Sequence, residues 1–599
     1  MYALGLALLP ALALPYFLVF VHLDDQKSII AALLLGMALI ASGVAFFRAS
    51  RWNSISLPTV AYGALLVALI GIVSAIVNGV SFTKFFGAAT GVGTGGSLVV
   101  FAGAVVVGSL LSAETMRKHY LWFAGCILVL MCLTPIAILS PVLIDSFPLM
   151  WPYQPFLLIP VLLVLISLAE GSSGLQKIVL SAGAFLAAIA FIFFFEPTSA
   201  LICCILLAAY AAARIAATRA ILTMPWLALA AAVFLAILLS TGFKNIIPPP
   251  SLDRLSFTAT EQIGQSVLFG TLTGALIGSG PDTFSSSWEL KRDPALNQHT
   301  DIKQDTVVTE GYSTLLTWLI TLGFLGVFVY LLCFVALLWS IGEVIFHKGL
   351  SIISDPLFNA ATLVAFFGLA SAAFFTINPA LFYISALSLG FAANRISSRA
   401  VGEWVASRRT RLSFGLPPLL VGIVLVLLCV GQFSANALFH KGNDTQELTK
   451  KFNDLNIRAA ALWPLSPYLQ AAAHDLLSPQ ASSRPQALAR ASALADKAIA
   501  SDPNDYAAWM VRESVIVATF AGTSTRALAD ARAALDTASK LAPSRSEIPL
   551  AKAALSTLNG DTAEEMKFLQ QALALDPTDA HIRALLMQLQ TSTPINAVR

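Results

Sequence analysis

The chain has 599 residues, of which 57% are hydrophobic and 12% charged, and its formal net charge is +3. Soluble domains carry about a quarter of charged residues, so this composition excludes an ordinary soluble protein. The nearly balanced charge gives no reason to expect a nucleic-acid partner.

Apolar runs recur through the first 435 residues, at the length needed to cross a hydrocarbon core of about 30 Å. About thirteen spans of that kind are predicted, near 3–22, 28–47, 58–77, 97–112, 119–139, 153–169, 178–195, 198–213, 221–240, 311–340, 356–376, 380–394 and 414–435. Each must satisfy its backbone internally in lipid, so each is predicted as a helix. The first run lacks a basic leader and a small-residue cleavage site, and reads as a retained helix rather than a signal peptide. All six cysteines lie in such runs and read as packing residues with no redox or metal role.

Lysine and arginine mark the cytoplasmic connections of membrane proteins. Here the basic clusters are Arg48 and Arg51, Arg117 and Lys118, Arg214 and Arg219, His347 and Lys348, and Arg395 through Arg411. With the spans above, all fall on one side. The N-terminus is then cytoplasmic, and the 241–310 loop and the region after 435 are extracytoplasmic. The expected protein is integral to the cytoplasmic (inner) membrane. It divides into membrane helices over 1–240, an external loop over 241–310, further membrane helices over 311–435 and a soluble domain over 436–599.

The stretch Gly278–Gly326 stands out within the first 435 residues: a glycine-rich turn, a long polar loop, then an apolar run. After the last span the composition turns to Ala, Asp, Lys, Arg and Gln at helical spacing. Four segments there share a helix, an apolar-x-Pro junction and a second helix, with junction prolines at 467, 503, 543 and 577. This period and composition resemble the tetratricopeptide repeat, in which helix pairs stack around a concave groove. His474 and His581 are isolated on these helices and read as surface or packing residues. A protein partner for the repeats is the default expectation. The predicted fold class is therefore all-α: a polytopic membrane bundle followed by a helical-repeat domain.

Gly278-x-Gly280-Pro281-x-x-Phe284, then a polar loop, then a helix carrying Gly323-Phe-Leu-Gly326, resembles the O-antigen ligase and polymerase superfamily. The architectural resemblance spans roughly 1–435 and the motif resemblance about 250–330. It implies a C-type glycosyltransferase fold acting on lipid-linked glycans at the external face, by an inverting, metal-independent route with no cofactor. The implied partners are a polyprenyl-diphosphate-linked glycan donor, a glycan, lipid or protein acceptor, and the bilayer. Such chemistry needs cations or N–H groups for a diphosphate, a base for the acceptor hydroxyl and stabilisation of the departing charge. Ligase members of the family carry a His-Asn-like pair, then nine residues, then Gly-x-x-Gly; counted back from Gly323, the pair falls on Tyr312 and Ser313, with Tyr312 at the histidine position. The family's Arg after a Ser at a central helix end has its nearest match at Thr198-Ser199-Ala200, without the Arg.

The catalytic candidates are Glu310, His299 and Tyr312. Glu310 sits where the loop re-enters the apolar chain and is the candidate base; its plain reading is an acidic residue near a helix N-terminus. His299 is the loop's histidine, flanked by Asn297 and Asp301, and its plain reading is an exposed loop residue. Tyr312 is able to hydrogen-bond a diphosphate, and Tyr is also common at membrane interfaces without a catalytic job. The substrate-binding candidates are Arg254, Arg292 and Lys291, with Arg preferred for its fork of donors, together with Gly278, Gly280 and Glu196. Gly278 and Gly280 read first as a tight turn, Glu196 as a helix-end carboxylate, and Gly323 and Gly326 as a close helix–helix contact. A scaffold that binds glycan or protein without turnover is the alternative function. A transporter would need charges along a central path and repeated spans, and the sequence shows neither.

Overall fold

A computed structural model describes residues 57–87, 92–138, 154–193, 197–218, 255–292, 308–348, 355–377, 379–396, 408–449, 454–478, 486–520 and 524–592, with short pieces at 29–44, 54–55, 294 and 404–405. These residues are almost all helical. The exception with pairing is a two-residue antiparallel ladder, Ser54 opposite Val405 and Ile55 opposite Trp404. The chain falls into two compact units. One combines 1–74, 89–252 and 312–433; the other combines 75–88, 253–311 and 434–599. In this division the polar loop and the repeats share a unit, and residues 75–88 join them.

The first unit is an apolar helical core. Gly95–Leu110 begins at Thr94, whose hydroxyl accepts the Ser97 amide at 3.2 Å. Pro356–Phe374 begins at Asp355, whose carboxylate accepts the Leu357 amide at 3.0 Å, with proline at the first position where no donor is lost. Gly95–Leu110 packs against Pro379–Ile396 at backbone distance. A Cβ on Gly108 would lie 2.1 Å from the Leu387 carbonyl oxygen, and one on Gly390 would lie 2.0 Å from that of Val105. Phe101, Trp318, Tyr330 and Phe382 stack beside this crossing, with centroids 5.0–5.5 Å apart, and the Trp318 indole donates to the Val92 carbonyl at 3.0 Å.

Two expectations are corrected in this unit. Among the described residues four helices, not about thirteen, are long and apolar enough to cross a membrane: Thr59–Val77, Thr314–Val344, Pro356–Phe374 and Leu416–Gly442. Gly95–Leu110 is apolar but shorter, 16 residues, which at 1.5 Å per residue is roughly 24 Å, less than a typical core; Gly174–Phe193 and Pro197–Thr218 are 20 and 22 residues long. The runs expected at 3–22 and 221–240 lie outside the described residues. Secondly, Gly323 is a helix break rather than a helix–helix contact. Its φ of 69° and ψ of −174° interrupt Thr314–Lys348, a conformation open to glycine at little steric cost. A Cβ on Gly326 would meet Leu322 of its own helix at 2.6 Å.

The second unit contains the repeats. The helices are Leu455–Leu462, Ser466–Leu477, Ala487–Ser501, Tyr506–Phe520, Thr525–Leu541, Glu547–Leu558, Thr562–Leu575 and Ala580–Ser592. Alanines at helical spacing form the packed stripe, Ala487, Ala491, Ala495 and Ala498 on one helix and Ala527, Ala531, Ala534 and Ala538 on another. Asp-Pro-x-Asp builds the same turn twice. Asp502 and Asp576 accept the amides of Asn504 and Thr578, while Asp505 and Asp579 accept those of Ala507 and His581. These carboxylates bind the free amides that open the next helix. The four helix–junction–helix segments expected from the prolines are present.

Candidate functional site

The glycine-rich motif forms a tight turn. Leu272–Ile277 ends at Gly278, φ 69°, and the chain turns through Gly280, φ 106°, and Asp282, φ 59°. Asp is one of the few side chains that tolerate this left-handed region, and a single residue held there stores strain of about 1 kcal/mol or more. The turn closes on itself: the Thr283 hydroxyl donates to the Gly280 carbonyl at 2.6 Å and lies 2.7 Å from the Ser279 hydroxyl. Residues 78–80 pack on it. Asn78 donates to the Gly278 carbonyl at 3.2 Å, and a Cβ on Gly280 would lie 2.8 Å from Val80 and 3.3 Å from Asn78. Phe284, the last motif position, is buried and starts the helix Phe284–Lys291.

Glu310 belongs to the same compact unit as this turn. Gly311 holds the end of the loop in place, since a Cβ there would lie 2.6 Å from Thr260 and 3.1 Å from Phe284. Both carboxyls are pushed up to about 7. For Asp282 the cause is first burial and then the negative Asp502, partly opposed by the positive Lys84. For Glu310 it is burial and then Asp282. Burial, which disfavours the charged carboxylate, is the leading cause at both positions.

Lys84 links this turn to the repeats. It lies on the short helix Phe82–Phe86, capped by Ser81 at one end and by Gly87, φ 65°, at the other. Its buried ammonium donates to Asp502 at 2.5 Å and to Ser286 at 3.4 Å. Around it the Trp463 indole donates to the Gly87 carbonyl at 3.1 Å, and the Thr83 hydroxyl donates to the Pro464 carbonyl at 3.3 Å. Asp505, one residue past the Asp502-Pro503-Asn504 junction, accepts from Ser466 at 2.8 Å and from Gln470 at 2.5 Å.

A second contact joins the loop helix to another repeat junction. Arg545 grips Glu289 with two donors, at 2.7 and 2.5 Å, and lies 5.3 Å from the Tyr506 ring centre. The Ser544 hydroxyl donates to the Arg292 carbonyl at 2.6 Å. The Arg292 guanidinium is itself buried, 5.7 Å from the Trp288 ring. Burial and then the neighbouring Arg545 pull its pKa below the ordinary value, although it keeps its charge at neutral pH.

The sequence-derived candidates are thus distributed unevenly. Gly278, Gly280 and Glu310 come together at one turn. Tyr312 follows, partly buried, at the start of the apolar helix. Lys291 is exposed at the end of Phe284–Lys291, while Arg292, expected to meet a diphosphate, is enclosed among Trp288, Glu289 and Arg545. His299, Arg254 and Glu196 lie outside the described residues. Asp282, Lys84, Asn78 and Asp502 were missed. Asp282 was hidden inside the glycine motif and Asp502 inside a repeat signature. A usable signal existed for the other two: under the expectation that puts the loop outside, residues 78–96 share its side.

Against known proteins, no family model and no curated protein matches the sequence. Among solved structures, the crystal structure of yeast Tom70 aligns over 83% of this chain and 94% of that one, at 11% identity and a TM-score of 0.23. An overlap that loose does not define a shared fold.

Proposed function

We propose that the protein is a membrane-embedded transferase that moves a glycan from a polyprenyl diphosphate to an acceptor at the external face of the cytoplasmic membrane. The observation that carries this reading is Glu310, the residue expected as base, at the end of the polar loop with its carboxyl raised to about 7 by burial and then by Asp282. A base whose pKa lies near working pH is both available and strong enough to take a hydroxyl proton. In the reaction the acceptor oxygen attacks the sugar's anomeric carbon as the bond to the diphosphate breaks. Glu310 takes the acceptor's proton, and the polyprenyl diphosphate leaves with the electron pair. Exposed Lys291 and the loop arginine Arg254 are the cations offered to that diphosphate.

Two further observations support membrane embedding. The four long apolar helices carry large side chains outward, among them Leu69, Phe328, Trp339 and Leu427, each more than half exposed. Exposed apolar surface on that scale marks contact with lipid or partners. In this reading the N-terminus is cytoplasmic and the loop and repeats are external, as the basic connections of the sequence suggest. The resemblance of the Gly278–Phe284 motif to the O-antigen ligase and polymerase superfamily names the substrate class, and the repeats would bind the acceptor or a protein partner.

The alternative is a scaffold that holds glycan or protein without turnover. It is favoured by Tyr312 standing at the family's histidine position and by Arg292 being committed to an internal cluster. Purified full-length protein in nanodiscs, given a polyprenyl-diphosphate glycan and candidate acceptors, separates the two. Release of lipid diphosphate, lowered about 100-fold or more in Glu310→Gln, supports the transferase. Glycan binding without release supports the scaffold.

A further inference from the structure

Within the stretch expected as a polar loop, no Asp, Glu, Lys, Arg or His occurs from Gln262 to Pro281. The chain folds this stretch into a helical hairpin, Phe257–Leu268 followed by Leu272–Ile277. The Thr271 hydroxyl accepts the Gly274 amide at 2.9 Å and opens the second helix. The two helices close directly on each other, since a Cβ on Gly274 would lie 2.3 Å from the Val267 carbonyl oxygen. Ile263 and Leu268 turn inward. The large side chains left outside at the bend are Phe269, 75% exposed, Leu272, 76% exposed, and Leu276, one turn beyond Leu272 on the same face. Glu261, Gln262 and Gln265 are exposed on the turns that precede the bend.

Both helices of the hairpin are fastened to chain that leads into membrane-length helices. Asn78 donates to the Gly278 carbonyl at 3.2 Å, where the second helix stops, and it directly follows Thr59–Val77. Gly311 is packed so that a Cβ would lie 2.6 Å from Thr260 of the first helix, and soon after it Thr314–Val344 begins. The hairpin helices have 12 and 6 residues; at 1.5 Å per residue the longer reaches about 18 Å, too little to cross a hydrocarbon core. An apolar helix face too short to span buries itself part-way into the membrane interface instead. We propose that the hairpin is seated in the external leaflet of the bilayer, with Phe269, Leu272 and Leu276 among the lipid acyl chains, and that it holds the adjoining Gly278–Thr283 turn at headgroup level. Lipid is favoured over a protein partner because both fastening segments adjoin membrane-length helices, and because the bend carries no charge with which to orient a protein. This seating rests on the membrane embedding proposed above and not on the transfer chemistry.

The test is spin-label accessibility in the full-length protein, reconstituted one copy per nanodisc in phosphatidylcholine with phosphatidylglycerol. A nitroxide is attached at Phe269→Cys and at Leu272→Cys, exposed positions where substitution leaves the packed side of the hairpin intact, and the wild-type signal is subtracted. Phe328→Cys, on the outer side of a membrane-length helix, is the lipid control; Lys567→Cys, exposed on the repeat helix Thr562–Leu575, is the water control. Collisions with oxygen, which concentrates among acyl chains, are compared with collisions with a water-soluble nickel chelate. The oxygen-to-nickel ratio at 269 and 272 is expected to exceed that at 567 several-fold and to approach that at 328. A ratio like that of 567 at either hairpin position, with 328 reading lipid, overturns the seating alone. Dipolar broadening between labels would show a second copy on the bend and also overturns it. A water-like ratio at 328 sinks the membrane embedding and the seating together. Lipid-like ratios in a protein that releases no lipid diphosphate support the seating and sink the transferase alone.

Discussion

In the apolar unit, Gly95–Leu110 meets Pro379–Ile396 through Gly108 and Gly390, where one backbone lies directly against another. In the second unit, Phe284–Lys291 meets the repeats through Glu289 and Arg545, where a charged pair is closed off from water. The first contact is specified by the absence of side chains and tolerates no added atom. The second is specified by complementary charge and tolerates no missing partner. The two units should therefore fail in opposite ways, one to enlargement and the other to truncation.

The largest expected effect is from Arg545→Ala, which leaves Glu289 buried without its bidentate partner. It should cost about 3–5 kcal/mol, while Arg545→Leu with Glu289→Leu should recover most of that; chemical unfolding of the full-length protein in detergent measures both. Equal loss in the single and double variants would mean that charge is not what specifies this contact. Gly390→Ala comes next, at about 3 kcal/mol, because the oxygen it would strike belongs to a backbone that cannot step aside. A neutral Gly390→Ala would show that the apolar helices have room to slide.

The carboxyl pair gives a smaller, pH-dependent effect. Asp282 and Glu310 rise from ordinary values of 3.8 and 4.5 to about 7 in the folded protein. The fold thus binds more protons than the unfolded chain between those values. Stability from these groups is full below about pH 4 and is lost as pH rises through 7. Unfolding midpoints at pH 5 and pH 8 should differ in this sense for the wild type, and the slope should flatten in Asp282→Asn/Glu310→Gln. The smallest effect is expected at Arg532 and Glu564, which pair on the surface of the repeats. Arg532→Ala should shift stability by no more than about 0.5 kcal/mol, and less in high salt.

Legibility from sequence follows the same divide. Helix-forming apolar runs and the proline-marked repeats repeat a local pattern, so Pro356–Phe374 and the Asp502 and Asp576 turns could be read directly. Span number could not, because an apolar run does not reveal where its helix starts and stops. Gly95–Leu110 reads as nearly membrane-length and is a 16-residue helix. Gly323 and Gly326 looked like a packing pair because glycine spacing cannot distinguish a close contact from a break; only the φ of Gly323 does. Glu310 was legible because it borders a loop, whereas Arg292 was misjudged because exposure was assumed from loop membership.

By itself, then, the sequence determined what depends on neighbours along the chain: apolar helices, helical-repeat hairpins, the glycine turn at 278–283 and the presence of Glu310 at the loop's end. The tertiary structure alone decided which distant charges meet. Lys84 lies 418 positions from Asp502 and Glu289 lies 256 from Arg545, and no local spacing encodes such pairs. They form because burying an ion without its counter-ion is prohibitive, so the fold that buries Lys84 and Glu289 must bring their counter-ions from wherever in the chain they reside.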